Sequence, residues 1–211
     1  MKILYKFYAL FLLIVLVAGC GGSSDAPLAL APAPAPEPEE TRLQDSRTFE
    51  IAASALAPFD ALADCNVETD RWVGRLDNSA YRIEVPKTTW NGMLVMIAHG
   101  YAGGAGSKLI VATPAVRRYL LENGYAWAAS SYDKNYYDVR SGIEETNKLA
   151  LNFKNIAAQN GRTLAAPAKI YITGTSMGGH VAAAAVDDEA YEYANNKVRY
   201  NGAVPMCGAV G

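Results

Sequence analysis

The sequence predicts an α/β domain whose sheet is largely parallel, and three observations support this. From residue 79 onward, short segments of strand character alternate with segments of helical spacing. One strand segment, MLVMIA at residues 93–98, is apolar throughout, as expected for a strand that helices cover on both faces, and AKIYIT at residues 168–173 is predicted to be a further buried strand. A glycine-containing turn follows each of these two strands. Regular alternation of this kind is typical of a mostly parallel sheet with helices on both faces.

The first predicted strand is Ser79–Val85, where apolar and polar side chains alternate until Pro86 interrupts them. The apolar strand at residues 93–98 comes next, and it leads into the glycine-rich loop His99–Gly106. A threonine–proline pair then predicts the start of a helix over residues 113–122, because threonine caps helices and proline fits their first turn. The Asn-Gly pair that follows supplies the stop.

The second half of the pattern begins with a predicted strand at Tyr125–Ser130. Apolar residues then recur at helical spacing over residues 143–157. The buried strand predicted at residues 168–173 leads through a glycine-flanked turn into an alanine-rich helix that starts at about Gly178. A last strand is predicted at Val198–Met206, which completes an alternating order of strands and helices.

The N-terminal residues 1–19 have the features of a secretory signal peptide. Lys2 and Lys6 precede an uninterrupted apolar run from Phe7 to Ala18, and small residues follow it. A transmembrane anchor is the alternative, but the run is much shorter than the roughly 20 residues that cross a bilayer. We therefore expect export of the protein and removal of this segment.

The residues that end the signal peptide, Val17-Ala18-Gly19-Cys20, resemble the lipobox of bacterial lipoproteins. The resemblance implies that Cys20 carries lipid and anchors the mature chain to the cell envelope, in the outer membrane if the source is Gram-negative. Residues 20–41 hold five of the ten prolines, four of them alternating with alanine or glutamate, and this composition predicts an extended tether. The folded domain is expected over residues 42–211.

Composition excludes several kinds of function. Acidic side chains outnumber basic ones by 21 to 19, so the chain lacks the positive charge that a nucleic-acid-binding protein needs. Two histidines and three cysteines occur without the spacings of a metal site, and we predict neither a metal nor another cofactor. Cys65 and Cys207 remain in the predicted domain, and the sequence leaves open whether they form a disulfide or stay separate thiols. It also leaves the oligomeric state open.

The turn after the strand at residues 168–173 reads Gly174-Thr175-Ser176-Met177-Gly178, a G-x-S-x-G pattern. A nucleophile elbow needs small residues two positions before and after its serine, because side chains there would collide with the neighbouring strand or helix. It also needs a strand before the serine and a helix after it, and the sequence predicts both. Ser176 is therefore the candidate nucleophile.

A second motif agrees with the first, because a serine nucleophile needs backbone amides that stabilise the oxyanion it generates. The loop that begins at His99 precedes Ser176 by a helix, a strand, a helix and a strand. With these motifs, residues 79–211 resemble the α/β-hydrolase superfamily, especially its secreted esterases and depolymerase-like members. The resemblance implies that Ser176 is the nucleophile and that the amides of Tyr101 and Met177 form the oxyanion hole. It also implies that His99 and Gly100 support the oxyanion loop and that Gly174 and Gly178 shape the elbow.

A general base and an acid are harder to find. The superfamily order is serine, acid, histidine, and the only histidine after Ser176 is His180, four residues along the elbow helix. We interpret His180 as packing beside the site, with a role as base as the less favoured alternative. The acidic residues after Ser176 are expected in or near the elbow helix, facing solvent: Asp187, Asp188, Glu189 and Glu192.

These positions predict that the acid and the histidine lie beyond Gly211. The 211 residues would then hold the N-terminal part of an incomplete α/β-hydrolase domain and would be inactive alone. If the natural protein also ends at Gly211, a pseudoenzyme becomes the leading interpretation.

The predicted reaction is hydrolysis of a small-molecule or polymeric carboxylic ester through an acyl-enzyme. The G-x-S-x-G motif does not separate this from an amidase or peptidase, and a non-catalytic surface lipoprotein that uses the fold for binding is a further alternative. The tyrosine-rich loop at residues 132–137 follows a strand at the ligand-binding edge of the sheet. Its tyrosines and Tyr101 either form an aromatic wall of the site or cover the following helix, and the sequence favours neither.

Overall fold

The structure is a computed structural model that describes residues 45–104 and 106–210. The predicted signal peptide at residues 1–19, the lipidated Cys20 and the tether at residues 20–41 lie outside these ranges. Six strands form one sheet in the order β1-β2-β4-β3-β5-β6. They are β1 Thr69–Leu76, β2 Ser79–Pro86, β3 Met93–Ala98, β4 Ala126–Ser130, β5 Lys169–Thr175 and β6 Gly202–Met206.

Four of the strands, β4, β3, β5 and β6, run parallel to one another, whereas β2 is antiparallel to both β1 and β4. The prediction of a largely parallel sheet is therefore confirmed. The helices are α1 Ala53–Leu56, α2 Arg117–Glu122, α3 Val139–Gln159, α4 Met177–Ala184 and α5 Asp188–Tyr193. Within the two described ranges, none of the helices is long and apolar enough to cross a membrane.

Helices cover both faces of the sheet, as the apolar strands predict. Leu94 and Met96 of β3 belong to a core that includes Phe153 of α3 and Val181 of α4. Val95 and Ile97, the alternate residues of the same strand, belong to a second core with side chains of α1 and α2. Successive side chains of a strand point to opposite faces, so an uninterrupted apolar run is what a strand between two helical layers requires.

Two predicted elements begin later than expected, and one strand was not predicted. The helix expected from residue 113 starts at Arg117, because the chain first makes a turn in which the Arg117 amide donates to the Pro114 carbonyl. The last strand starts at Gly202 rather than Val198. β1 was missed because its sequence, TDRWVGRL, carries three charged residues, and its pairing with β2 makes it an edge strand.

The order of the strands determines where the loops meet. β3 is the parallel neighbour of both β4 and β5, and Ala98 at the end of β3 is paired with Gly174 of β5. The loops that follow these three strands therefore leave the same edge of the sheet. In open parallel sheets, the carboxyl edge is the edge that binds ligands.

Candidate active site

Ser176 stands between β5 and α4 with a backbone conformation that side chains rarely adopt, φ 60° and ψ −129°. Such a conformation costs on the order of 1–3 kcal/mol and persists only where the surroundings enforce it. The Ser176 amide donates to the carbonyl oxygen of Met206 in β6, at 2.9 Å, and the Ser176 carbonyl accepts from Gly179 and His180. The elbow thus holds an exposed serine at the carboxyl edge of the sheet.

The two glycines around Ser176 have no room for a side chain. A methyl carbon on Gly174 would lie 2.5 Å from the carbonyl oxygen of Ala98 and would also collide with the Gly178 carbonyl. One on Gly178 would lie 2.7 Å from the Ala98 carbonyl carbon and 2.8 Å from that of His99. These atoms belong to backbone, which has little freedom to move aside. The end of β3 and the start of α4 are therefore in direct backbone contact at the serine.

The glycine-rich loop after β3 lies directly against the candidate nucleophile, Ser176. A methyl carbon on Gly100 would be 3.5 Å from the Ser176 Cβ and 3.1 Å from the Thr175 carbonyl oxygen. The next amide in this loop is that of Tyr101, and the first amide of α4 is that of Met177. Within the described part of the chain, neither amide donates a hydrogen bond to another residue. Two uncommitted N–H groups therefore lie beside the serine, one in each element.

His99 is buried between the loop that follows β3 and the loop that follows β4. Its ring is buried and stacks on Tyr132 at a centroid distance of 3.8 Å. Its Nδ1 is 2.7 Å from the Gly100 carbonyl oxygen, and its Nε2 is 3.1 Å from that of Ser131. Burial lowers the pKa of His99, and the two carbonyl contacts oppose this shift with smaller effects. His99 thus connects the loop after β3 to the loop after β4.

His180 and the acidic residues after it do not form a catalytic pair in the described residues. The Nδ1 of His180 is 3.2 Å from the Tyr137 hydroxyl oxygen. The elbow helix ends at Ala184, so the acids belong to a separate short helix, α5, and its N-terminal cap. All of them are exposed to solvent: Asp187, Asp188, Glu189 and Glu192. Asp187 accepts from the Glu189 amide, and Asp188 pairs with Arg199.

The tyrosines of the loop after β4 and Tyr101 differ in their exposure to solvent. Tyr132 is completely buried, and its hydroxyl donates to the His99 carbonyl at 3.2 Å. Tyr101 and Tyr137 are half exposed, at 54% and 50%, on the side of the elbow. The first tyrosine is thus structural, whereas the other two are available to a ligand.

Asn135 is a residue of the site that the sequence did not single out. It is buried, its Nδ2 donates to the Ser107 carbonyl at 3.0 Å, and its side chain packs against Gly103. The only indication in the sequence was that Asn135 comes a few residues after a strand, in a loop at the carboxyl edge of the sheet. The loop has no periodic pattern that would predict a buried side chain at this position.

The two cysteines of the domain are separate thiols. Cys65 is half-buried and packs against the core that α1 and α2 cover, whereas Cys207 is exposed just after β6. The sequence left open whether Cys65 and Cys207 form a disulfide, and in the structure both are free thiols. Among the described residues, no group of three or more His, Cys, Asp or Glu side chains is arranged to hold a metal ion.

The mostly parallel sheet, the helices on both faces and the strained serine between β5 and α4 define the α/β-hydrolase fold. No protein-family model matches the chain, and no curated protein matches it by sequence.

Solved structures of similar fold include several esterases. Esterase B from Lactobacillus rhamnosis is 21% identical with a TM-score of 0.43, over 66% of this chain and 49% of that one. A siderophore hydrolase from Aspergillus fumigatus is 14% identical with a TM-score of 0.45, over 64% and 41% of the two chains. A rice cell wall degrading esterase from Xanthomonas oryzae is 13% identical with a TM-score of 0.43, over 62% and 37%. The chain thus spans half or less of the length of these structures.

Proposed function

We propose that the protein is a serine hydrolase that cleaves carboxylic esters through an acyl-enzyme on Ser176. The observation that carries the proposal is the exposed serine in a strained backbone conformation, with the uncommitted amides of Tyr101 and Met177 beside it. Strain of this kind is typical of catalytic positions, and paired amides stabilise the oxyanion of acyl transfer. Ester hydrolysis through an acyl-enzyme uses a nucleophile and oxyanion donors placed in this way.

In the proposed reaction the Ser176 oxygen bonds to the ester carbonyl carbon, and the carbonyl oxygen takes up negative charge that the two amides stabilise. The carbon–oxygen bond to the alcohol then breaks, and the alcohol leaves with the proton that the serine lost to a histidine base. Water repeats these steps on the acyl-enzyme and releases the acid.

We further propose that this histidine and its acid lie beyond Gly211. His99 is buried with both ring nitrogens against carbonyl oxygens, and His180 contacts Tyr137, so each histidine of the sequence already has a structural contact. A chain with only these 211 residues is then expected to hydrolyse esters poorly or not at all. Extending the coding sequence downstream should restore activity.

Substitution Ser176→Ala in the full-length protein should abolish covalent labelling by a fluorophosphonate probe and lower the kcat for a 4-nitrophenyl ester by at least about 10³-fold. The reason is that the proposed acyl-enzyme forms on the Ser176 oxygen. Labelling is measured by intact-protein mass spectrometry. The control is Ser46→Ala, which removes an exposed serine and should leave labelling unchanged.

An unlabelled wild type, or labelling that survives Ser176→Ala, would contradict the proposed activity. An unlabelled and correctly folded wild type would favour the non-catalytic alternative, in which the fold only binds a ligand. The amidase or peptidase alternative is tested with an ester and an amide of the same acyl group. A higher kcat/KM for the amide would move the assignment from esterase to amidase.

We also propose that the protein is exported and anchored to the cell envelope by lipid on Cys20. In a bacterial host fed an alkyne-labelled fatty acid, the wild type should carry the label and sediment with membranes. Cys20→Ala should lose the label and the sedimentation, because no other residue of the lipobox-like sequence can accept lipid. Cys207→Ala, which removes a cysteine of the folded domain that is exposed to solvent, is the matched control and should behave as wild type. Label retained by the Cys20 variant would exclude the anchor.

A further inference from the structure

The first described residues of the chain pack beside the oxyanion loop. The guanidinium of Arg47 lies over the ring of Tyr136, 4.4 Å from its centroid, and 5.6 Å from the centroid of Phe49. Phe49 and Tyr136 also contact edge to face, at 6.0 Å. A cation over a ring is attracted by the negative face of the π system. A segment more than eighty residues away in sequence thus fixes one face of Tyr136.

The Arg47 side chain is itself held in place. Its Nε and Nη2 donate to the two carboxylate oxygens of Asp45, at 2.9 and 2.7 Å, in a fork geometry. Lys134, two residues before Tyr136, donates to the Arg47 carbonyl oxygen at 2.6 Å. Arg47 thus donates to Asp45 through its side chain and accepts from Lys134 through its backbone, and rotation of the guanidinium away from Tyr136 would break this partly exposed fork.

Tyr136 transmits this contact to the oxyanion loop. Its amide donates to the Ala102 carbonyl at 2.7 Å, and its ring meets that of Tyr101 edge to face at 6.4 Å. Its backbone is in the left-handed region, with φ 72°, which a tyrosine adopts only where contacts enforce it. Two such contacts are the guanidinium of Arg47 over the Tyr136 ring and the hydrogen bond from the Tyr136 amide to Ala102.

The oxyanion loop needs this support because its own sequence is flexible. Four of the eight residues from His99 to Gly106 are glycine, which restricts the backbone least of all residues. An oxyanion hole is effective only when its donors are positioned before the reaction. On one side His99 binds the loop, and on the other side the contacts of Asn135 and Tyr136 do so.

We propose that Arg47 is a positioning residue of the oxyanion hole, which acts by holding Tyr136 and, through it, the loop that carries the Tyr101 amide. The inference rests on the proposed function, because it assigns a role in stabilising the oxyanion. Arg47 does not touch the reacting atoms. Its removal should therefore weaken binding of the transition state and leave binding of the ester largely unchanged.

The test uses the full-length protein and the variants Arg47→Ala and Arg47→Lys. Arg47→Ala should lower the kcat for a 4-nitrophenyl ester about tenfold, less than the 10²–10³-fold that follows the loss of an oxyanion donor, with KM within about twofold. The affinity for a trifluoromethyl ketone, which forms a tetrahedral adduct with the serine, should fall by the same factor as kcat/KM. Arg47→Lys keeps the cation but loses the fork with Asp45, and we expect an intermediate kcat.

Lys108→Ala is the matched control. Lys108 forms an exposed ion pair with Glu50 at 2.8 Å, so it ties the same segment to the chain after the oxyanion loop without touching Tyr136. The kcat of Lys108→Ala should stay within about twofold of that of the wild type, since exposed ion pairs contribute little to the stability of a fold. Both alanine variants should keep the wild-type melting temperature within a few degrees.

The outcomes separate this inference from the proposed function. If the wild type reacts with fluorophosphonate and Arg47→Ala retains the wild-type kcat and ketone affinity, the positioning role is overturned alone. The same holds if Lys108→Ala loses as much activity as Arg47→Ala. A wild type that neither reacts with the probe nor hydrolyses esters would overturn the proposed function, and the role of Arg47 with it.

Discussion

Substitution Gly178→Ala should lower the kcat/KM of the full-length protein at least about 10²-fold and destabilise it by about 1–3 kcal/mol. The added methyl carbon would lie 2.7 Å from the Ala98 carbonyl carbon and 2.8 Å from the His99 carbonyl carbon. Relief requires the end of β3 or the start of α4 to move. Overpacking in a tightly packed site costs about 1–3 kcal/mol, and a displacement of about 1 Å at reacting groups can cost 10² in rate.

Urea unfolding and steady-state kinetics measure these two effects. The control is Gly161→Ala, because Gly161 also has a backbone that favours glycine, with φ 79°, but an added methyl carbon meets no atom within 4 Å. This variant should lose about 1 kcal/mol and keep its kcat. If Gly178→Ala unfolds and turns over as the wild type does, the close approach of β3 and α4 is not what shapes the elbow.

The second large effect is expected at the buried ion pair between Glu84 of β2 and Arg117 of α2. Arg117→Met should lower the free energy of unfolding by about 3–5 kcal/mol. The carboxylate of Glu84 is completely buried and accepts from Arg117 Nε at 2.7 Å and Nη2 at 2.9 Å. Thr69 and Trp127 also donate to it, each at 2.8 Å. Without Arg117, a buried negative charge keeps only neutral donors.

The matched control is Glu122→Ala, which breaks the exposed pair between Glu122 and Arg118 on the same helix. Surface pairs of this spacing contribute about 0.3–0.5 kcal/mol, so the control should unfold almost as the wild type does. Both variants are compared by chemical unfolding at one pH. A loss below about 1 kcal/mol for Arg117→Met would show that the buried charge is compensated by Thr69 and Trp127 alone.

The sequence predicted the structure best at positions where the local geometry permits only one kind of side chain. β3 is apolar on both faces because helices cover both faces, and its uninterrupted run of apolar residues made this predictable from the sequence. The turn around Ser176 was predictable for the same reason, since only glycine fits where Gly174 and Gly178 touch the backbone of β3.

Other features were hidden because they depend on contacts between distant segments. β1 reads as a polar segment and becomes a strand only through its pairing with β2. The contact between Arg47 and Tyr136 joins two loops, and neither loop has a periodic pattern that would indicate the other. The chemistry of Glu84 was equally invisible, because a lone glutamate in an alternating strand looks solvent-exposed until its partner on α2 is known.

The hydrogen bond from the Ser176 amide to the Met206 carbonyl has a consequence for biosynthesis. The two residues are thirty positions apart, so the ribosome has to add all of β6 before the serine can acquire its final backbone. At about 5–20 residues per second, this takes roughly two to six seconds. During that interval a nascent chain carries Ser176 without this hydrogen bond, which forms only when β6 joins the sheet.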